Sequence, residues 1–496
     1  MSRCAKIAIV VGTVVITAIL ISIIHHYRLR AEVNAYIAEL KASGELLDLA
    51  QVIPPPVPPE QNDAPEFLKT ASAINTNWDA LETNPPPAMR MVAPGKAMIG
   101  WAQPDIRSSE GTNSWEEIQA ALAKEEDALN TVQQISNRPE LDCNINYAGG
   151  FEKIRLTYLA GSKRAAMGLC GSAIFDLHRG DPASAVQAAH SMLLIANAMQ
   201  HDRLVISELV RIAIAQLASA ATWEILQSTN VTDEQLAQLQ QDWANLDFVP
   251  TAENALLMER TMGQMTLAHW RRYGFPPYLE EGLWNKAEIK IKIFLWRYWW
   301  SYPDELRALK GYDALLGAVE AVQTNGSFQN ALGNEDKQLN DLGISKLNDD
   351  FLVTFTDVNL HTMLSQSIVT LAGFARNVMC AEVAKQVTMT AIALKRYQLK
   401  NGDYPTDLSQ LVPAFLPAVP LDPVDGKPLR YRSNGDGTFL LYSVGENGKD
   451  DGGNPSLENG AESSSHFWEN QSALDWVWPQ PATPQEVQNY YANLGK

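Results

Sequence analysis

An acidic, glycine-rich stretch near the C-terminal end of the chain carries the residues best suited to bind a metal ion. Within nine residues it holds five side chains with hard oxygen atoms, between glycines 445, 448, 452 and 453: Ser443, Glu446, Asn447, Asp450 and Asp451. Calcium prefers about six to eight such oxygens on a flexible loop. The spacing differs from that of an EF-hand. The stretch therefore predicts either a calcium site or a solvated turn that holds no ion.

The signatures of common enzyme active sites do not occur in the sequence. None of its eight histidines belongs to a His-Glu-x-x-His motif, and the nucleophile elbow, the P-loop and the dinucleotide fingerprint are all missing. The run Gly168-Leu-Cys-Gly-Ser172 lies within a helical pattern, where small residues allow close helix packing. We therefore predict that the chain is not an enzyme. The alternative is an extracytoplasmic hydrolase whose site is assembled from dispersed residues.

The elements that precede the acidic stretch must position it. A helical pattern ends at Asn401-Gly-Asp-Tyr-Pro405, where Gly402 can adopt a left-handed cap and Pro405 prevents the helix from continuing. Turn residues then separate two short strand patterns, residues 429–432 and 439–443. So small a sheet is stable only when it packs against a helix. The sequence predicts a small α+β module with antiparallel strands.

This order of signals, over about residues 381–478, resembles the globular head of the major pseudopilins of type II secretion. The motif residues that carry the resemblance are Ala391, Leu394, Tyr397, Leu399, Asn401, Gly402, Tyr404 and Pro405, followed by Asp422-Pro423 and Leu441-Tyr-Ser-Val-Gly445. The resemblance implies that the acidic loop holds calcium and that a downstream aspartate completes the site. Asp475 matches that aspartate best. The implied ligands are therefore Ser443, Asp450, Asp451 and Asp475, helped by backbone carbonyls.

Two features depart from that family. The insertion at residues 454–471 separates Asp475 from the loop. In addition, pseudopilins join a processed N-terminal helix directly to the head, whereas here the apolar N-terminal run lies about 350 residues upstream and carries no processing site of that kind. We therefore predict a long helix plus a pseudopilin-like module over residues 351–496, and not a fibre subunit. The same motifs resemble those of large membrane-anchored proteins of planctomycete and verrucomicrobial bacteria, a likeness that implies no activity.

An apolar run, residues 7–24, stands near the N-terminal end of the chain. About 18 residues at 1.5 Å each nearly cross a hydrocarbon core roughly 30 Å thick. A cleaved signal peptide is the alternative, but the run is long and ends without a small-residue cleavage site. Arg3 and Lys6 favour a cytoplasmic N-terminus. We predict a single-pass anchor in the cell membrane over residues 1–30, with the rest of the chain periplasmic.

Between the anchor and the module the pattern is mainly helical. Residues 31–113 predict a juxtamembrane amphipathic helix and a stiff Pro-rich spacer at residues 53–59. Residues 114–325 carry apolar side chains at three- and four-residue spacing, with Asp181 and Thr232 as helix N-caps. One break resembles a tetratricopeptide-type hairpin, but no fixed period recurs. We predict an irregular array of helical hairpins that binds an unknown protein partner.

A basic and aromatic segment, residues 284–300, leaves two interpretations open. Three lysines precede five aromatic residues: Lys286, Lys290, Lys292, Phe294, Trp296, Tyr298, Trp299 and Trp300. Such a helix either lies in a membrane interface or packs its aromatic side chains onto the helical array. The polar residues 325–350 that follow predict a loop-rich boundary.

The composition of the whole chain limits the functions open to it. With 496 residues, 46% of them apolar, it is long enough for two to four packed domains. Its formal net charge of -18 argues against a nucleic-acid partner, because nucleic-acid-binding proteins present basic surfaces. Cys143 and Cys170 either form a disulfide or remain buried thiols. These observations together predict a mainly α, membrane-anchored, extracytoplasmic scaffold or binding protein with a pseudopilin-like module.

Overall fold

The computed structural model describes residues 3–74, 89–107, 111–136, 141–275, 293–325, 327–344, 364–457 and 472–493. Within them the protein is mainly helical with three small sheets. The helices are α1 (Arg3–Ala42), α2 (Leu49–Val52), α3 (Ala64–Ala73), α4 (Trp115–Ser136), α5 (Thr157–His178), α6 (Pro182–Ala198), α7 (Val205–Leu226), α8 (Asp233–Ala244), α9 (Val249–Tyr273), α10 (Ser301–Asn325), α11 (Gln329–Asp341), α12 (Ser365–Leu371), α13 (Phe374–Asn401) and α14 (Pro484–Asn493). The strands are β1 (Arg90–Ala93), β2 (Lys96–Met98), β3 (Ile106–Arg107), β4 (Thr112–Asn113), β5 (Arg430–Ser433), β6 (Phe439–Ser443), β7 (Trp476–Val477) and β8 (Gln480–Pro481).

Helix α1 is one continuous helix of 40 residues. The separate amphipathic helix predicted from residue 31 is instead the second half of α1, since residues 25–42 contain no glycine or proline to break the backbone. The two halves differ in burial. The second half buries Val33 and Leu40 against the body of the protein, whereas the first half exposes its described large apolar side chains.

The centre of the protein is the predicted helical array. Helices α5, α6 and α7 pack on one another, and α4, α8, α9 and α13 surround them. The helical pattern predicted from residue 114 onward is confirmed in α4 to α9, and so are the two predicted N-caps, Asp181 and Thr232. Asp181 accepts a hydrogen bond from the Ser184 backbone N–H at 3.1 Å. Thr232 and Gln235 form the predicted reciprocal capping box at the start of α8.

Helix α11 lies where the sequence predicted a loop-rich boundary, so that prediction was wrong for residues 329–341. Ala331, Leu332 and Leu339 are buried in the core, which stabilises a helix despite its polar composition. The backbone N–H groups of Phe328 and Gln329 also donate to carbonyls of the C-terminal module, at 3.0 Å each. Residues 345–363, including the predicted start of that module, lie outside the described residues.

The basic and aromatic segment is only partly described, because residues 276–292 lie outside the described residues. From residue 293 onward it is helical, with a π-helical turn at Trp296–Trp300 that leads directly into α10. Trp296 is fully buried against Leu267, whereas Phe294 and Tyr298 are exposed. Trp296 therefore packs on the array, as one interpretation predicted, whereas Phe294 and Tyr298 face outward. Contact with a membrane interface stays a prediction.

The C-terminal module contains the predicted strands and one more. Strands β5 and β6 pair antiparallel, with Arg430 opposite Tyr442, and β7 adds to β6 with Trp476 opposite Ser443. The preceding helix α13 ends at Asn401, as predicted, and Gly402 follows with φ 91°. The Tyr404 and Phe439 rings lie 4.9 Å apart, which fastens the sheet to the residues just after the helix.

Another sheet joins distant parts of the chain. Strands β1 and β2 form a hairpin, and β8 pairs parallel to β2, with Lys96 opposite Gln480. The Trp223 indole N–H on α7 donates to the Pro479 carbonyl at 2.8 Å. Residues near 90 and near 480 are thus bound to the same face of the helical array.

One large apolar cluster runs from Val52 to Trp478 through the described residues, so the array and the C-terminal module share a core. Among the described residues, two helical stretches are long and apolar enough to cross a membrane, Val205–Leu226 and Ser365–Asn401, and neither lies near the N-terminal end. In both, at least half of the apolar window is buried inside the protein, as in a core helix. Cys143, Cys170 and Cys380 are free thiols, which decides against a Cys143–Cys170 disulfide.

Candidate functional site: the acidic loop and the groove of the helical array

The strand pairing brings the four predicted calcium ligands into one region. Ser443 ends β6, and Asp475 stands immediately before β7, which pairs with β6. The loop that carries Asp450 and Asp451 folds over this end of the sheet. At Gly445, φ is 66° and a Cβ atom would lie 2.5 Å from the Leu474 carbonyl oxygen, so this approach requires glycine.

Asp475 is the centre of the loop, but it binds the backbone. Its side chain is fully buried and accepts hydrogen bonds from the N–H groups of Asp451 at 3.3 Å, Gly453 at 2.8 Å and Asn454 at 2.9 Å. Burial raises the pKa of the Asp475 carboxyl, and these N–H groups oppose that shift. Asp475 therefore holds the loop in shape through hydrogen bonds.

The other three predicted ligands also have protein partners. Asp450 accepts a hydrogen bond from the Tyr442 hydroxyl at 2.8 Å, and Asp451 accepts one from the Asn447 side-chain amide at 3.0 Å. The Ser443 hydroxyl donates to Asp422 at 2.8 Å and so is directed away from the loop carboxylates.

These contacts do not fit a calcium coordination shell. Calcium requires several oxygen atoms that face a common point, whereas the Asp475 oxygens face three N–H donors and the Ser443 hydroxyl is bound elsewhere. Within the described part of the chain, no group of three or more His, Cys, Asp or Glu side chains is arranged to hold a metal ion. Calcium binding stays a prediction from the sequence.

The sequence interpretation missed the importance of Asp422. This carboxylate is fully buried and accepts hydrogen bonds from the Val424 and Val444 N–H groups at 3.0 Å each, besides that of Ser443. Arg430 donates to it at 3.0 Å and binds Asp425 as well. The Asp-Pro motif signalled only a turn, and its long-range partners could not be read from local spacing. The Asp422 carboxylate therefore joins the turn at residue 424 to strands β5 and β6 and has a structural role.

Several other buried carboxylates are likewise structural. Glu224 on α7 accepts hydrogen bonds from the Met89 and Gly100 N–H groups at 2.9 Å each and so fixes the β1–β2 hairpin. Burial raises the pKa of Glu224 to about 8, against the effect of these N–H groups. Asp202 accepts a hydrogen bond from the Tyr158 hydroxyl at 2.5 Å, and burial raises its pKa to about 6. Both carboxylates lie inside the core, out of reach of a substrate.

A groove of about 320 Å³ opens between α4 and the junction of α5 with α6. Its walls are mainly polar, and exposed amide side chains line both sides: Gln119, Asn130 and Gln187. At its base Asp176 accepts hydrogen bonds from Arg179 at 2.7 Å and from Ser172 at 3.4 Å. Burial raises the pKa of Asp176, although Arg179 opposes the shift.

The groove lies within the array, where the sequence predicted that a partner would bind. Amide side chains both donate and accept hydrogen bonds, which matches the needs of a peptide backbone. Asp176 is engaged by Ser172 of the same helix and by Arg179 just after its last residue, an arrangement that orders the groove wall. No family model, curated protein or solved structure matches the chain.

Proposed function

We propose that this chain is a membrane-anchored, extracytoplasmic binding protein, held to the bilayer by the first half of α1 and binding a protein partner through its helical array. The observation that carries the proposal is the contrast within α1. Seven large apolar side chains between residues 10 and 24 are 46–68% exposed: Val10, Val14, Ile16, Leu20, Ile21, Ile23 and Ile24. An apolar surface of this length on one helix needs a cover, and a bilayer supplies it.

The second half of α1 supports the same proposal. Val33 and Leu40 are buried, and Tyr36 donates a hydrogen bond to Asp313 on α10. Arg260 on α9 binds both Asp313, at 3.0 Å, and Glu45, at 2.7 Å. The second half of the helix is thus fixed to the folded body and its first half exposes apolar side chains, as a membrane anchor requires.

The anchoring test places charge in the apolar half of α1. A charged side chain at the centre of a membrane helix costs about 2.5–3.5 kcal/mol. We expect the double variant Val14→Arg, Ile21→Arg to leave carbonate-washed membranes, while the matched variant Asn34→Arg, on an exposed site of the same helix, stays in them. Retention of the double variant would refute the anchor. Protease added to spheroplasts should digest the body, and full protection would refute the periplasmic orientation.

The partner-binding part of the proposal rests on the groove between α4 and α5–α6. A photo-crosslinking amino acid placed at Asn130 in intact cells should give a protein adduct of defined mass, and one at Leu399, an exposed site on α13, should not. The adduct at Asn130 should disappear when Gln119 and Gln187 are replaced by alanine. Equal adducts at both positions, or an adduct insensitive to these substitutions, would contradict binding in the groove.

A further inference from the structure

Two exposed aromatic side chains stand at the start of the helical segment that leads into α10. Phe294 is 57% and Tyr298 is 38% exposed, and their ring centroids are 4.8 Å apart, one helical turn from each other. They form a single aromatic surface, which we call the aromatic pair. Exposed phenylalanine and tyrosine rings forgo the favourable free energy of burying their apolar surface, unless a partner or a membrane covers them.

The packing against α1 fixes the level of the aromatic pair. His26 lies beside Tyr298, with its Nδ1 atom 3.2 Å from the Tyr298 carbonyl oxygen, and Tyr36 contacts Asp313. The residue later in α1, Tyr36, contacts the residue later in the second segment, Asp313. Helix α1 and the segment that contains Tyr298 and Asp313 therefore run parallel. Phe294 therefore lies about 6 Å back from Tyr298, at four residues of 1.5 Å each.

This displacement places Phe294 beside the last turn of the apolar half of α1. Because Tyr298 lies beside His26, Phe294 lies near residue 22 of α1, one helical turn before His26. Residue 22 is next to Ile23 and Ile24, which are 46% and 68% exposed. The ring of His25 also contacts that of Trp299, with centroids 5.1 Å apart. The aromatic pair thus continues the exposed apolar surface of α1 at the end nearer the folded body.

Contacts behind the aromatic pair hold it rigidly. Trp296 is buried against Leu267 of α9. Arg271, also on α9, donates to the Ser301 hydroxyl at 2.9 Å and lies 4.0 Å from the centre of the Tyr302 ring. The segment is therefore fixed between α1 and α9, and the outward direction of the two rings is set by the fold.

We propose that the aromatic pair inserts into the interfacial layer of the bilayer that holds α1, so that the protein meets the membrane at a second, fixed contact. This inference rests on the proposed membrane anchor. Tyrosine and tryptophan side chains concentrate at the level where lipid headgroups meet acyl chains, which is the level reached by the end of an apolar membrane segment. Phenylalanine is found on the apolar face of helices that lie in this layer. Lipid is the occupant because the pair is continuous with the exposed apolar side chains of α1. The second contact restrains the tilt of the whole body on the membrane surface.

The test uses the full chain in vesicles of phosphatidylcholine and phosphatidylglycerol that contain an alkyne-tagged phosphatidylcholine. A photo-crosslinking phenylalanine analogue is placed singly at Phe294, Tyr298, Val14 or Leu399. We expect tagged-lipid adducts at Phe294, at Tyr298 and at Val14 in the apolar half of α1. We expect none at Leu399, which is 41% exposed on the C-terminal module.

The four positions separate this inference from the proposed anchor. Lipid adducts at Val14 without adducts at Phe294 or Tyr298 would overturn the second contact alone. Absence of lipid adducts at Val14 as well would overturn the anchor. An adduct at Phe294 with the mass of two chains, or one formed within the same chain, would show that protein covers the aromatic pair and would also overturn the inference.

Discussion

Replacing Glu224 by glutamine should remove a pH-dependent loss of stability. Glu224 is fully buried beneath the β1–β2 hairpin, and burial raises its pKa from 4.5 to about 8. Between these values the folded protein binds the proton more tightly than the unfolded chain does. The free energy of unfolding therefore falls as the pH rises through this window. At 1.36 kcal/mol for each unit of pKa difference, the full loss is about 4–5 kcal/mol.

Glutamine keeps a carbonyl oxygen for the Met89 and Gly100 N–H groups but cannot ionise. We therefore expect Glu224→Gln to match the wild type near pH 5 and to exceed it increasingly towards pH 8. The measurement is urea unfolding of the full chain in mild detergent, followed by circular dichroism at several pH values. The quantity compared is the variant's free energy of unfolding minus that of the wild type.

A matched control is Glu234→Gln, which removes one negative charge from an exposed position at the start of α8. Its difference from the wild type should stay small and nearly constant with pH. If the Glu224→Gln difference is also flat between pH 5 and pH 8, the reasoning is refuted. The backbone N–H groups would then hold Glu224 ionised in spite of its burial.

Three further predictions concern the acidic loop. Asp475→Ala should lower the free energy of unfolding by at least about 3 kcal/mol, because it leaves three N–H groups without their acceptor; Asp451→Ala, which loses one exposed bond, should cost less than about 1 kcal/mol, and equal losses would contradict this difference. The melting temperature of the wild type should be the same in calcium and in chelator, since the predicted ligands already have protein partners, and a clear rise in calcium would restore the predicted site. Gly445→Ala should destabilise by about 1–3 kcal/mol more than Gly452→Ala, measured by urea unfolding, because both have positive φ but only the first meets a carbonyl, that of Leu474; similar losses would refute the steric argument.

The parts of the fold that could be predicted from the sequence depend on contacts within one element or between neighbouring elements. The capping box at Thr232, the glycine stop at Gly402 and the strand at Phe439–Ser443 each have a local cause and were confirmed. Helix α11 was missed because its stability comes from buried residues such as Leu332, and not from its polar composition.

In the candidate sites, too, the features with a local cause were predicted and those that depend on distant contacts were not. The glycine and aspartate content correctly predicted a turn in the acidic loop. The family resemblance pointed to Asp475, whose side chain does contact that loop. The sequence could not show that the Asp475 oxygens face backbone N–H groups, or that Ser443 turns to Asp422, since these depend on how the strands are placed. The groove depends on the separation of three helices, which no spacing in the sequence encodes.

The parallel pairing of β2 with β8 affects how the protein is made. A ribosome delivers the chain from its N-terminal end, so residues near 96 emerge long before their partners near 480. Until those last residues arrive, β2 has an open edge, and the Trp223 indole lacks the Pro479 carbonyl. An exposed strand edge can pair with the wrong chain. The sheet can therefore be completed only after the C-terminal residues have been synthesised, however early the rest of the array folds.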